Sequence, residues 1–131
     1  MLRTLYIENV AVIQRATLPL EAGLNVLTGE TGAGKSILIG AVNAILGNRT
    51  SKDMVRQGAD RALISALFEE LSPAVAARAE EMGYDCPDGS LLIVREIGRD
   101  GRNTCKIGGR PANVSILKEL GQLLINVHGQ H

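Results

Sequence analysis

The first 20 residues alternate between apolar and polar positions, a pattern typical of strands with one buried face. Leu5 and Ile7 are two residues apart, as are Val10 and Val12, and the same spacing returns between Ala16 and Leu20. Two short strands, paired antiparallel, are therefore predicted. A third, buried strand is predicted over 24–28, where an apolar run follows a glycine and leads into a glycine-rich stretch.

After the glycine-rich stretch the apolar positions change to a helical spacing. Two series recur four residues apart: Ile37, Ala41 and Ile45, and Leu38, Val42 and Leu46. This spacing predicts a helix that is apolar over most of its circumference, and such a helix is expected to be buried. Gly47 is predicted to end it, because glycine suits the left-handed position that follows a helix.

The middle of the chain is predicted to run from a loop through a strand to a second helix. Residues 48–61 are polar and carry charges of both signs, as expected of a surface loop, and 62–68 alternate as a strand. Ser72 followed by Pro73 is a typical helix start, and Gly83 is a suitable end.

The last third is predicted to contain a hairpin, a helix and a strand. Asp100 and Gly101 form a hairpin-turn dipeptide between β-rich runs at 91–97 and 104–107. Asn113 suits a helix cap, and the apolar spacing after it predicts a helix that ends at Gly121. Residues 123–127 are predicted to be a final buried strand.

The composition is that of one globular domain. The chain has 131 residues, 45% of them hydrophobic and 21% charged, enough to bury a core. It contains no apolar run of the roughly 18–20 residues that a membrane span needs, and its start does not resemble a signal peptide. A cytoplasmic location is therefore expected.

Charge and aromatic content limit the modes of binding. The 14 basic and 14 acidic residues balance, so net charge gives no support to binding of nucleic acid or membrane by this segment. The 2% aromatic content argues against a base-stacking platform.

The cysteines and histidines form no metal-binding pattern. Cys86 and Cys105 do not form a C-x-x-C pair and are predicted to be reduced thiols. His128 and His131 have no nearby carboxylate or cysteine cluster, and we do not expect them to bind a metal.

Residues 29–36 form a complete G-x-x-x-x-G-K-[ST] phosphate-binding loop. Its glycines allow successive backbone N–H groups to turn inward, and the following helix directs its positive end to the same point. Lys35 is predicted to contact the β- and γ-phosphates of ATP, and Ser36 to coordinate Mg²⁺. The residues expected to line the nucleotide are Gly29, Glu30, Thr31, Gly32, Ala33, Gly34, Lys35, Ser36 and Ile37.

The order of these features resembles the ABC (ATP-binding-cassette) ATPases. About 28 residues of β-rich sequence precede the loop, as in that family, and residues 5–13 (LYIENVAVI) resemble the opening strand of its SMC-like branch (structural maintenance of chromosomes). Residues 24–39 and the ending NVHGQH are similar to DNA-repair members of the branch. The resemblance implies an α/β fold over residues 1–131: the N-terminal lobe of a P-loop ABC-type ATPase head, with a leading antiparallel β-layer and a central strand–loop–helix.

The resemblance also implies roles for two residues outside the loop. Gln130 stands after the predicted last strand, where ABC proteins carry the Q-loop glutamine that reaches Mg²⁺ and the attacking water. Arg56 lies where SMC-like heads carry an arginine that approaches the γ-phosphate in the head dimer. Lys35, Gln130 and Arg56 are thus the expected catalytic residues, and Ser36 and Gln130 the expected Mg²⁺ ligands. Arg102 and Arg110 are interpreted as surface residues.

For the complete protein, the resemblance implies an ATPase that acts in DNA double-strand break repair and recombination. ATP would clamp two heads together and hydrolysis would release them. The implied partners are the C-terminal half of its own head, a second head in a homodimer, and DNA, with no membrane and a nucleoid-associated location.

The signature motif, Walker B aspartate, catalytic glutamate and switch histidine are not found in these 131 residues. We therefore expect an N-terminal half-head, without coiled coil or C-terminal half, that is inactive alone. The alternative is a nucleotide-binding subunit of an ABC transporter, which differs in the sequence expected after residue 131.

Overall fold

A computed structural model describes residues 1–19 and 32–128, and for 32–34 and 125–128 it describes the backbone alone. Its centre is an antiparallel sheet whose six described strands follow the order β2-β1-β3-β4-β5-β6. The strands are β1 (Leu2–Val10), β2 (Ile13–Pro19), β3 (Arg61–Phe68), β4 (Leu91–Gly98), β5 (Asn103–Ile107) and β6 (Arg110–Ala112). The predicted strand over 24–28 lies outside the described residues.

The alternating pattern at the start of the chain produces the first strand pair, as predicted. β1 and β2 are antiparallel, with Leu5 opposite Leu18. On its other side β1 pairs with β3, where Ile7 lies opposite Ile64. Leu5, Ile7 and Ile64 are fully buried, so one face of these strands forms the centre of the core.

Within the described residues, three α-helices accompany the sheet: α1 (Gly32–Ile45), α2 (Pro73–Glu81) and α3 (Val114–His128). The predicted cap of α2 is confirmed, since the Ser72 hydroxyl accepts a hydrogen bond from the Val75 N–H at 3.3 Å. The Asn113 side chain likewise accepts one from the Ile116 N–H at 2.8 Å at the start of α3. Gly47 follows α1 with φ +89°, which is the left-handed conformation that favours glycine.

The predicted end of α3 is wrong. The helix continues through Gly121 to His128, so residues 123–127 are helical and not a strand. Gly121 is buried where α3 crosses the end of α1, and a Cβ at this position would lie 2.6 Å from the Leu46 carbonyl oxygen. The glycine therefore permits a close helix contact, and the buried side chains continue at helical spacing beyond it, from Leu120 to Leu124.

The prediction that α1 is a buried helix is confirmed for one side of it only. α1 contacts β3 and β4, and Ala41, Ala44 and Ile45 are buried in the described structure. These positions fall three and four residues apart and so share one side of the helix. Ile39, away from that side, is 43% exposed. The helix therefore buries one side only.

The connections largely follow the predictions. The hairpin between β4 and β5 is confirmed, and the Gly98 N–H donates to the Arg102 carbonyl at 2.7 Å across its turn. The loop after α1 is mostly polar as predicted, but its Val55 is buried and bridges to Val10. The sequence analysis did not predict β6, a three-residue strand that pairs with β5.

Candidate nucleotide-binding site

The second half of the phosphate-binding motif forms the first turn of α1. The helix begins at Gly32, so the sequence GAGKS opens it. The first turn contains no acidic residue, and the side chains of Lys35 and Ser36 are exposed. A helix start combines free backbone N–H groups with a positive dipole end, which favours an anion.

This donor set fits a phosphate group with its metal ion. The ammonium group of Lys35 supplies a full positive charge, and the Ser36 hydroxyl is an oxygen ligand of the kind that Mg²⁺ prefers. Both side chains are open to an incoming ligand. Ile37 is half-buried in the next position.

Several residues assigned to the site fall outside this geometry. Gly29, Glu30, Thr31 and Gln130 lie outside the described residues. The backbone of 32–34, which includes Ala33 and Gly34, is helical. The role of Gln130 was inferred partly from a preceding strand, and the residues before it are helical up to His128.

Arg56 lies in the loop after α1, held against the turn between β1 and β2. Its backbone N–H donates to the Asn9 carbonyl at 2.8 Å, and the Ala11 N–H donates to the Met54 carbonyl at 2.7 Å. Asn9 and Ala11 have φ of +55° and +53°, a conformation that asparagine adopts readily but that costs alanine about 1–2 kcal/mol. Strained backbone thus occurs at Ala11, one of the two positions that bind this loop.

Arg99, which the sequence analysis did not single out, holds the same loop from the other side. The guanidinium of Arg99 donates to three backbone carbonyls: Ala59 at 2.9 Å, Arg56 at 2.7 Å and Val55 at 3.4 Å. The Arg99 side chain is exposed. No sequence signal distinguished it from the other arginines near the hairpin.

A second arginine, Arg95, holds the other end of α1. It is only 2% exposed, and its Nη1 donates to the carbonyls of Ala44 and Asn48, both at 2.7 Å. Its Nε donates to the Asn103 side chain at 3.0 Å. Burial lowers the pKa of the Arg95 guanidinium below its ordinary value. A cation at the C-terminal end of a helix stabilises the last carbonyls of the helix.

The position of Arg95 was visible in the sequence. Ile93 and Ile97 are buried on the same face of β4, so Arg95 stands at an interior position of an alternating strand. An arginine at such a position requires hydrogen-bond acceptors, because a buried charge without them is costly. The sequence analysis described this strand only as β-rich.

Arg102, Arg110 and the two cysteines match their interpretation as ordinary residues. Arg102 is exposed and pairs with Asp100 at 3.5 Å, and Arg110 donates to the Gly83 carbonyl at 2.9 Å. Cys86 and Cys105 are free thiols, and burial raises the pKa of each.

Within 1–19 and 32–128, no three His, Cys, Asp or Glu side chains are grouped to hold a metal ion. None of the described helices is long and apolar enough to cross a bilayer.

Comparison with known families defines the class of protein. Residues 4–82 match the model of the AAA domain, and the chain belongs to this family. A structure from work on ATP-driven dimerization and DNA-stimulated activation of SMC ATPases matches with a TM-score of 0.70 and 20% identity, covering 91% of this chain and 76% of that one. The SMC head domain from Thermotoga maritima matches with a TM-score of 0.62, covering 90% of this chain and 41% of that one. These likenesses confirm the predicted fold class, the N-terminal lobe of a P-loop ABC-type ATPase head.

The curated relatives are more specific. The chain is 44% identical to the DNA repair protein RecN of Halalkalibacterium halodurans and 45% identical to that of Vibrio cholerae, over its whole length in each case. The resemblance to DNA-repair members of the SMC-like branch is thereby confirmed. The chain spans 23% and 24% of the lengths of these two relatives.

Proposed function

We propose that this chain is the N-terminal half of an ATPase head that binds ATP and Mg²⁺ and acts in DNA repair. In the complete protein, hydrolysis of ATP would drive the association and release of two heads during double-strand break repair and recombination. The observation that carries the proposal is similarity to DNA repair protein RecN over the whole chain, together with a phosphate-binding motif at the start of α1.

In this proposal the loop and the first turn of α1 bind the nucleotide. The backbone of residues 29–34 surrounds the phosphates, Lys35 neutralises charge on the β- and γ-phosphates, and Ile37 completes the lining. Ser36 and Gln130 are the protein ligands of Mg²⁺. When bound, ATP–Mg²⁺ supplies the γ-phosphoryl group and the metal charge that balances it.

Two further side chains act at the reacting end. Gln130 orients the water that attacks the γ-phosphorus, which is a matter of position because an amide carries no charge. Arg56 presents a permanently charged guanidinium to the γ-phosphate when two heads meet, and such a group stabilises the charge of the transition state. Phosphoryl transfer relies chiefly on such positioning and charge.

The proposal assigns three partners to the chain: the C-terminal half of its own head, a second identical head, and DNA. It also assigns a cytoplasmic, nucleoid-associated location. Ile39, an exposed apolar side chain on α1, supports the C-terminal half as a partner, since that half-head would cover it. The transporter alternative is less well supported, because the curated relatives compared above are DNA repair proteins.

Nucleotide binding is tested first on the 131-residue chain. We expect weak binding of ATP–Mg²⁺ and negligible hydrolysis, since the Walker B and signature motifs are not in this sequence. Lys35→Ala should weaken binding by at least about 10-fold through loss of a phosphate contact. Lys106→Ala is the matched control, because Lys106 is an exposed lysine on β5. Equal binding by the two variants would contradict the role of Lys35. Rapid hydrolysis of ATP by the chain alone would contradict the proposal that it is an inactive half of an ATPase head.

Gln130 is tested in the complete protein. Misplacing a reactant by about 1 Å can cost on the order of 100-fold in rate, so Gln130→Ala should lower kcat far more than it raises the dissociation constant of a non-hydrolysable ATP analogue. Gln122→Ala provides the control, since Gln122 is exposed on α3. Normal turnover in Gln130→Ala would return this residue to an ordinary solvated glutamine.

A further inference from the structure

The backbone of Arg56 is fixed on both sides of the peptide. Its N–H is bound by the Asn9 carbonyl at 2.8 Å, and its carbonyl accepts from Arg99 Nη2 at 2.7 Å. The neighbouring Val55 side chain is buried, 4% exposed. The loop that carries Arg56 is therefore held in one place although it lies at the surface.

Arg99 contributes the largest share of this attachment. Its Nε and Nη2 reach three carbonyls of residues 55–59, and its own backbone N–H donates to the Asp60 carbonyl at 2.8 Å. Within the described part of the chain, no carboxylate forms an ion pair with the Arg99 guanidinium. The interactions of this side chain are thus directed at the loop.

The Arg56 side chain differs in this respect. It is half-buried, and among residues 1–19 and 32–128 it forms no ion pair with a carboxylate. A fixed backbone that presents a guanidinium with no carboxylate partner there suits a group that awaits an external anion. The strained backbone at Ala11 fits the same interpretation, since backbone strain tends to occur at functional positions.

We propose that Arg99 is a positioning residue for Arg56: its guanidinium binds the carbonyls of the Arg56 loop and so sets where the Arg56 side chain stands. This inference rests on the proposed function, in which Arg56 acts on the γ-phosphate. Arg99 itself touches no reacting atom in this scheme. An arginine suits the task because its planar fork can bind several carbonyls at once, which the single ammonium of a lysine cannot.

Amide hydrogen exchange on the 131-residue chain tests the positioning directly. Arg99→Ala should speed exchange of the Arg56 and Ala59 amides by at least about 10-fold through local opening, while amides of β3 stay within about 2-fold. The matched control is Arg102→Ala, a nearby exposed arginine that pairs only with Asp100 among the described carboxylates. Unchanged exchange at Arg56 and Ala59 in Arg99→Ala would overturn the inference.

Steady-state hydrolysis in the complete protein tests the consequence. Arg99→Ala should lower kcat on the order of 10-fold with KM within about 2-fold, Arg99→Lys should lose less, and Arg56→Ala should lose on the order of 100-fold. The double variant should be no slower than Arg56→Ala, since Arg99 acts through Arg56.

The outcomes separate the two ideas. Normal turnover in Arg56→Ala would overturn the proposed role of Arg56. A slow Arg56→Ala beside a normal Arg99→Ala, or losses that multiply in the double variant, would overturn the positioning role of Arg99 alone.

Discussion

Two arginines four residues apart bind backbone carbonyls in opposite surroundings. Arg95, inside the molecule, holds the C-terminal end of α1 through Ala44 and Asn48. Arg99, at the surface, holds the loop around Arg56. Each connects β4 or its end to a segment that comes earlier in the sequence, and these nitrogen-to-oxygen distances are 2.7 to 2.9 Å.

Their environments give these similar contacts different consequences. Water can replace an exposed guanidinium, so loss of Arg99 leaves its carbonyls solvated. Arg95 is 2% exposed, and loss of its side chain removes charged hydrogen bonds to buried and half-buried acceptors, which contribute about 1.5–3 kcal/mol each. Because it is buried, Arg95 contributes mainly to the stability of the fold, whereas Arg99 mainly fixes the position of the Arg56 loop.

The largest expected effect is the loss of Arg95. Arg95→Met should lower the free energy of unfolding by about 4 kcal/mol, because several hydrogen bonds from a buried, charged donor are lost. Arg99→Met should lower it by only about 1.5 kcal/mol, because water can solvate the carbonyls that it leaves. Urea denaturation of both variants measures the difference. Equal losses would remove the distinction between the two arginines.

A pair of glycines sharpens the same comparison. Gly47→Ala should cost about 3 kcal/mol, since φ is +89° and a Cβ would overlap the backbone of Lys118. Gly58, in the Arg56 loop, has φ +91° with no atom within 4 Å of a Cβ. Gly58→Ala should therefore cost only about 1 kcal/mol. Thermal or urea unfolding distinguishes them, and a larger loss at Gly58 would contradict the role given to packing.

The smallest expected effect is a pH dependence near Arg95. Cys105 lies opposite Arg95 on β5, and burial raises its thiol pKa above the ordinary value of 9.0, while the charge of Arg95 partly opposes the shift. As pH rises, the unfolded chain therefore loses this proton first. The contribution of the thiol to stability is complete below pH 9 and is lost as pH rises toward the native pKa.

Cys105→Ala isolates this contribution. It should flatten the decline of the unfolding free energy as pH rises above 9, measured by urea denaturation at each pH. Cys86→Ala is the comparison, because the Cys86 thiol is less buried and its pKa is also raised. An unchanged slope in Cys105→Ala would show that Cys105 does not titrate in this range.

Local signals in the sequence predicted much of the fold. The alternation in β1 and β3, the cap at Ser72 and the turn at Asp100 and Gly101 each act over a few neighbouring residues. Gly121 failed as a helix end because its reason is a contact with Leu46, 75 positions away along the chain. A glycine for close packing and a glycine for termination are the same letter in a sequence.

The site was predictable only in part for the same reason. The phosphate-binding motif that contains Lys35 can be recognised from sequence alone, because its residues lie within eight consecutive positions. The attachment of Arg56 depends on Asn9 and Arg99. Asn9 lies far before Arg56 in the sequence and Arg99 far after it, and only the tertiary fold brings them together. The assignment of Gln130 stays a prediction.

The outer strands of the sheet bear on how copies of this chain meet. Among the described strands β2 and β6 lie at the two margins. Pro19 ends the first, and Pro111 stands in the three-residue second. Proline has no N–H to donate to an added strand, and short or proline-bearing margins discourage edge-to-edge aggregation. Among the described strands, each margin of the sheet therefore carries a proline that disfavours pairing with a second copy of the chain at that position.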